Sequence, residues 1–141
     1  MQQFRILYVE DYDLVLFTVK QLLEGESWKV DVCRDGKAAL RKFESEEHYD
    51  LLILDERLGA VGGMELLGRA RRTPRLSCTP VVVFTASQCE DEALAAGADA
   101  FLRKPGGLKE LIPTCRRLLQ IDEEQSDEGD NRREATSGNL L

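Results

Sequence analysis

Five polar side chains that can take part in chemistry stand at or beside the ends of short apolar runs: Glu10, Asp11, Asp55, Thr85 and Lys104. Four consecutive aliphatic residues lead directly into Asp55. So short and so apolar a run is typical of a strand that is buried on both faces of a parallel sheet. Open α/β sheets bind ligands in the crevice outside the carboxyl ends of their strands, so these residues are candidates for one site.

Together, these five side chains are suited to phosphoryl transfer. Three carboxylates held close to one another repel, so a cation must lie among them, and an all-oxygen site suits Mg²⁺. The metal and Lys104 would neutralise the phosphoryl oxygens while Asp55 attacks in line and becomes an aspartyl phosphate. Thr85 could then donate its hydroxyl to a phosphoryl oxygen.

The apolar pattern predicts five strands that alternate with five helices. The predicted strands cover residues 4–9, 28–33, 51–54, 80–84 and 98–102. The predicted helices cover residues 13–24, 36–45, 64–72, 88–96 and 108–119. Asp13 is a candidate N-cap and Gly97 a candidate C-terminal cap, and Pro113 is expected to limit the regularity of the last helix.

This alternation indicates an α/β fold, a doubly wound five-stranded parallel sheet with helices on both faces. The strand order 2-1-3-4-5 is a known order of such sheets rather than one that the pattern dictates. In that order the first, third and fourth strands are neighbours, which would bring the three carboxylates to one edge.

By composition, the chain divides into a body and an acidic tail. Residues 1–121 are expected to form one domain, whereas residues 122–141 are too polar and charged to pack and are expected to be disordered. Of the 26 acidic residues seven lie in this tail, with only two of the 19 basic ones, and the formal net charge of the chain is −7. Because the body lacks the basic stripe of a nucleic-acid surface, no direct DNA binding is expected.

No feature of the sequence suggests export or a membrane. The N-terminus does not have the form of a signal peptide, and no apolar stretch approaches the length that spans a bilayer. The four cysteines form no C-x-x-C pair. We therefore expect a cytoplasmic protein with reduced thiols.

Over residues 4 to about 120, the chain resembles the response-regulator receiver domains of two-component signalling, which have a flavodoxin-like fold. The acidic pair of that family falls on Glu10-Asp11, and its phosphoacceptor falls on Asp55. Its switch hydroxyl falls on Thr85, and its lysine falls on Lys104. The order of these positions, with a Gly-Ala-Asp segment and a Lys-Pro pair in the expected places, makes the resemblance specific.

Further roles follow from this resemblance. Arg57 would supply a main-chain carbonyl to Mg²⁺, and Phe101 would be the aromatic residue that rotates inward when Thr85 moves toward the phosphoryl group. Arg57 and Ser87 lie beside the site and would tune the lifetime of the phosphoryl group. The bond between Lys104 and the following proline would be cis.

The resemblance also implies partners. A histidine kinase or a histidine phosphotransfer protein would donate the phosphoryl group, and a downstream protein partner would bind the phosphorylated domain. The protein would be no enzyme beyond catalysing its own phosphorylation and dephosphorylation. Because residues 122–141 cannot form an output domain, we expect a stand-alone receiver; a relay between histidines and excision from a longer chain stay open.

The chain departs from the family pattern in three places. Leu58-Gly59 stands where the family usually has Met-Pro, so the loop after the phosphoacceptor loses rigidity. Thr85 and Lys104 are nineteen positions apart, fewer than the family has, so the fourth helix or the loop before it must be shorter. Two glycines at positions 106 and 107 replace an apolar residue and should loosen the start of the last helix.

Two other functions stay open at this point. A pseudo-receiver would keep the fold without the chemistry; it usually lacks the aspartate or the lysine, and both are present here, but the loop changes keep it open. The segment that starts at Asp11 fits the D-x-D-x-[TV] pattern of haloacid-dehalogenase-type phosphatases. Against that function, Glu10 precedes the first aspartate, there is no cap domain, and Asp55 would have no role.

Overall fold

The computed structural model describes residues 3–121 and confirms the predicted alternation of strands and helices. The strands are β1 (Arg5–Val9), β2 (Lys29–Cys33), β3 (Leu51–Leu54), β4 (Val81–Thr85) and β5 (Ala100–Arg103). The helices are α1 (Asp13–Glu24), α2 (Gly36–Glu44), α3 (Gly63–Arg71), α4 (Glu90–Ala95) and α5 (Leu108–Leu118). Every bound lies within two residues of the predicted one, the usual uncertainty of element ends.

All five strands are parallel and lie in the order β2-β1-β3-β4-β5, so the expected doubly wound sheet is confirmed. β2 is at one edge, as its alternating pattern predicted, and β1, β3 and β4 occupy the middle. Because every strand runs in the same direction, all five carboxyl ends meet at one edge of the sheet. The candidate site lies at that edge.

The side chains of the central strands alternate between two apolar cores. One core packs α1 and α5 against residues such as Ile6, Tyr8 and Ile53. The other packs α2, α3 and α4 against residues such as Leu52 and Leu54. Because both faces of the sheet are covered, β3 and β4 are buried along their whole length, which explains their unbroken apolar sequences.

Of the three predictions made about single helix residues, the structure confirms one and contradicts two. Asp13 is not a cap, because the capping position is Tyr12 and no side chain caps it; Asp13 is the first helical residue and pairs with Arg34. The expectation that Pro113 would make the last helix irregular is also wrong, since α5 runs through this exposed residue without a break. Gly97 does end α4, with a φ of 108° and an N–H bond to the carbonyl of Leu94.

The expected disorder of residues 122–141 lies outside the described residues. Within residues 3–121, none of the helices has both the length and the apolar character that a membrane span needs. All four cysteines are free thiols.

Candidate functional site

Register alone places two carboxylates side by side. β1 pairs with β3 so that Val9 is level with Leu54, and the N–H of Asp55 donates to the carbonyl of Val9 at 3.2 Å. Glu10 and Asp55, which directly follow the two strands, therefore leave the sheet next to each other. The same edge receives Lys104, whose N–H donates to the carbonyl of Thr85 at 3.0 Å.

Three carboxylates converge as the sequence predicted. One oxygen each from Glu10, Asp11 and Asp55 lie within 4.8 Å of one another, Glu10 and Asp55 being buried and Asp11 exposed. A divalent cation with a preference for oxygen fits this donor set, because a few carboxylates with open water positions is how Mg²⁺ is usually held. Because Asp11 is exposed, such an ion could enter the site from solvent on that side.

Lys104 compensates the charge of this cluster. Its ammonium donates to Glu10 Oε1 at 2.5 Å and to Asp55 Oδ2 at 3.2 Å, and its side chain is only 14% exposed. The Nζ atom also lies 5.4 Å from the ring centre of Phe84, a distance at which the ring adds a cation–π attraction. The lysine is thus held in contact with two carboxylates, although Glu10 lies 94 positions away in the sequence.

Three donors surround Glu10. Besides Lys104, the hydroxyl of Tyr8 donates to Oε1 at 3.3 Å and the N–H of Tyr12 donates to Oε2 at 3.2 Å. Burial raises the pKa of Glu10, the hydrogen bond from Lys104 opposes that effect, and the charge of Asp55 adds to it. The pKa of Tyr8 is raised by burial and by the neighbouring Glu10 carboxylate, so its hydroxyl keeps its proton.

Tyr8 is not among the residues that the sequence singled out. It lies on β1, two positions before Glu10, which directly follows the strand, and residues at that spacing point to the same side of an extended chain. That spacing was available in the sequence, but the hydroxyl contact with Glu10 depends on the tertiary packing of the ring.

On the other side of Asp55, backbone and side-chain hydrogen bonds link two loops. The N–H of Arg57 donates to Asp55 Oδ1 at 3.3 Å, and its Nε donates to Ser87 Oγ at 2.9 Å. The N–H of Ser87 in turn donates to Thr85 Oγ1 at 3.3 Å. The loop after β3 is therefore bridged to the loop after β4, next to Asp55 and to the buried hydroxyl of Thr85.

Phe101 lies apart from the carboxylate cluster. It is level with Val83 on β4 and is partly buried against the core that carries α2, α3 and α4. The Lys104–Pro105 bond is cis, as the resemblance implied. α4, with six residues, is the shortest of the helices in residues 3–121, in keeping with the short spacing between Thr85 and Lys104.

The family follows from these residues and their surroundings. Residues 6–116 match the family model of the response regulator receiver domain. The chain belongs to this family. It is a receiver domain of two-component response regulators, and its acidic cluster is compatible with Mg²⁺ binding and phosphorylation.

Relatives of this receiver domain occur in larger proteins. The alkaline phosphatase synthesis transcriptional regulatory protein SphR of Synechococcus elongatus is 36% identical over 132 residues, which cover 86% of this chain and 51% of SphR. The aerobic respiration control sensor protein ArcB of Escherichia coli is 36% identical over 126 residues, which cover 86% of this chain but 16% of ArcB. The chain thus spans about half, or much less, of these relatives.

Solved receiver domains share the fold over almost their full length. The receiver domain of sensor histidine kinase PA1611 from Pseudomonas aeruginosa PAO1, solved with a magnesium ion coordinated in the active site cleft, is 27% identical with a TM-score of 0.76. It is matched over 84% of this chain and 99% of its own. A CheY-like receiver domain protein from Methanospirillum hungatei is 29% identical, with a TM-score of 0.76 over 88% of this chain and 99% of its own.

Proposed function

We propose that Asp55 accepts a phosphoryl group in a Mg²⁺-dependent reaction and that the phosphorylated domain then binds a downstream protein. The observation that carries this proposal is the meeting of three carboxylates and a lysine at one edge of the sheet, with Asp55 in contact with Lys104. The magnesium ion in the cleft of the PA1611 receiver domain supports the choice of metal.

The metal site would use the carboxylates of Glu10, Asp11 and Asp55 and the main-chain carbonyl of Arg57. When bound, Mg²⁺ would neutralise charge that develops on the transferred group. An oxygen of Asp55 would attack the phosphorus in line, forming a P–O bond as the P–N bond to the donor histidine breaks and the imidazole nitrogen keeps that electron pair. Lys104 is close enough to Asp55 to pair with a phosphoryl oxygen.

The switch would involve two further residues. Thr85 would move toward the phosphoryl group and donate its hydroxyl to it. Phe101 would then turn inward into the space that Thr85 leaves. The hydrogen bond between Arg57 and Ser87, at 2.9 Å, supports a role for that pair in setting the phosphoryl lifetime, because the N–H of Arg57 also contacts Asp55 Oδ1.

We further propose that residues 1–121 act as the receiver domain in the cytoplasm and catalyse no reaction beyond their own phosphorylation and dephosphorylation. A histidine kinase or a histidine phosphotransfer protein would be the donor, and no direct contact with DNA is part of the proposal. Exposed apolar side chains at the start of α1 support a protein donor, since Leu14 is 67% exposed and lines a groove that it shares with Lys104.

The test is the intact mass after incubation with Mg²⁺ and acetyl phosphate. We expect one added phosphoryl group in the wild type and none in Asp55→Asn, whereas Asp91→Asn, which removes an exposed carboxylate of α4, should label like the wild type. Beryllofluoride binding covers the case of a short-lived product. A wild type that takes up neither group would favour the pseudo-receiver; the family match leaves the phosphatase without support.

A further inference from the structure

Glu56, the residue after Asp55, reaches back over its own loop to the start of α3. Its Oε1 accepts the N–H of Met64 at 2.8 Å, eight positions away. Its main-chain carbonyl accepts the N–H groups of Leu58 at 3.1 Å and Gly63 at 3.4 Å. Glu56 therefore holds the loop between β3 and α3 together through hydrogen bonds to both its backbone and its side chain.

This contact replaces the usual cap of a helix. The first turn of a helix leaves N–H groups without partners, and a Ser, Thr, Asp or Asn at the capping position usually accepts one of them. Here the capping position is Gly62, which has no side chain to do so. The Glu56 carboxylate supplies the missing acceptor and places a negative charge at the positive end of α3.

The space around Gly62 makes the two arrangements exclusive. A Cβ at position 62 would lie 2.7 Å from the carbonyl oxygen of Glu56 and 3.3 Å from both of its carboxylate oxygens. An ordinary capping side chain cannot be added there unless Glu56 moves. A Cβ at position 63 would lie even closer, 2.4 Å from the carbonyl oxygen of Asp55, so the start of α3 packs directly on the peptide that follows Asp55.

We propose that Glu56 is a positioning residue, which ties the phosphoacceptor and the Arg57 carbonyl to α3 and so holds the metal site in shape. The loop needs such a tie because it passes through Gly59 at a φ of 84°. Glycine restricts the backbone less than any other residue, so Gly59 itself does little to fix the shape of the loop. This inference rests on the proposed function, since it concerns the same Asp55 and the same metal.

The experiment compares Glu56→Ala with Glu56→Gln. The glutamine keeps an acceptor oxygen and removes the charge, whereas alanine removes both. We expect Mg²⁺ affinity, measured by calorimetric titration of the folded proteins, to fall about 10-fold in Glu56→Ala, the lower end of what loss of a supporting contact behind metal ligands costs. Glu56→Gln should stay within a factor of about 3 of the wild type.

Hydrogen exchange gives a second readout that does not need the metal. The Met64 amide should exchange faster in metal-free Glu56→Ala than in the wild type or in Glu56→Gln. Glu65→Ala is the matched control, because Glu65 is an exposed carboxylate of the same first turn and should change neither quantity. A role in folding stability alone would lower the melting temperature without changing the Mg²⁺ affinity of the folded protein.

Three outcomes would overturn the inference. One is a folded Glu56→Ala that binds Mg²⁺ as tightly as the wild type, and another is an equal loss in Glu56→Gln, which would assign the effect to charge. If Glu56→Ala does not fold, Glu56→Asp, whose carboxylate is one methylene shorter, should show the same loss of affinity, and full affinity there would be the third. A wild type that binds no Mg²⁺ would instead refute the proposed function.

Discussion

Replacing Lys104 by methionine tests whether this lysine is what allows two buried carboxylates to lie together in the metal-free protein. The substitution keeps much of the apolar stem and removes the ammonium that contacts Glu10 at 2.5 Å and Asp55 at 3.2 Å. Glu10 and Asp55 would then face each other without a cation unless Mg²⁺ is present. We expect the variant to be folded but much less stable than the wild type without Mg²⁺.

The structure sets the size of this loss. At these separations and an effective dielectric constant of about 20, each ion pair has a gross Coulomb energy of roughly 5 to 7 kcal/mol. Much of that is offset by the cost of burying the ammonium, and truncating one partner of a buried pair costs roughly 3–5 kcal/mol. Glu10 can also escape by taking up a proton, which from an ordinary pKa costs about 4 kcal/mol near pH 7.5. Whether Glu10 stays charged without its partner or takes up a proton, we expect the free energy of unfolding to fall by about 3–4 kcal/mol.

The pH dependence provides the sharper check. Burial already places the pKa of Glu10 above its unfolded value in the wild type, and removing Lys104 takes away the hydrogen bond that opposes this shift. A raised pKa means that stability is fully present below the unfolded pKa of about 4.3 and is lost as the pH rises through the folded pKa. The deficit of Lys104→Met should therefore shrink to about 1 kcal/mol near pH 5, where protonation is cheap.

Urea unfolding of both proteins near neutral pH and near pH 5, with and without Mg²⁺, measures these differences. Mg²⁺ should restore a larger part of the stability in the variant than in the wild type, since it replaces the missing cation. Lys109→Met, which removes an exposed lysine of α5, is the control for net charge. A loss of less than about 1 kcal/mol near neutral pH, or a deficit that does not depend on pH, would refute the reasoning.

Other contacts give further expectations. The carboxyl of Asp31 is partly buried, which alone would raise its pKa, but hydrogen bonds from Tyr49 and Arg5 outweigh burial and lower it. Its stabilising contribution is therefore present above an unfolded pKa of about 3.9 and is lost as the pH falls through the lower folded value. Asp31→Asn should cost about 1–3 kcal/mol in urea unfolding at neutral pH and nothing at a pH below both values, and equal deficits at both would contradict this. Leu14→Asp should slow phosphotransfer from a histidine-phosphorylated protein yet leave labelling by acetyl phosphate unchanged; equal slowing of both would argue against donor docking on α1. Arg57→Ala should shorten the phosphoryl lifetime, followed by loss of the added mass, because water gains access to Asp55 once the bridge to the β4–α4 loop is gone; an unchanged lifetime would contradict that role.

The sheet and the place of the site could be predicted because they depend on local patterns. The unbroken aliphatic run before Asp55 reports burial on both faces, and the alternation with helical segments reports parallel strands. Parallel strands have their carboxyl ends at one edge, so the residues that end β1, β3 and β4 had to meet there. The order of the strands was expected only because other doubly wound sheets have it, and the structure confirms it.

The contacts between side chains were decided only by the tertiary structure. Periodicity tells which face a residue occupies, but it carries no distance between segments as far apart as Glu10 and Lys104. The hydroxyl of Tyr8 beside Glu10 depends on how the ring packs under α1 and α5. The reach of Glu56 to Met64 depends on the fold of a loop that has no periodicity. Residue types and strand ends specify the chemistry that is available here, whereas packing decides which oxygen each donor contacts.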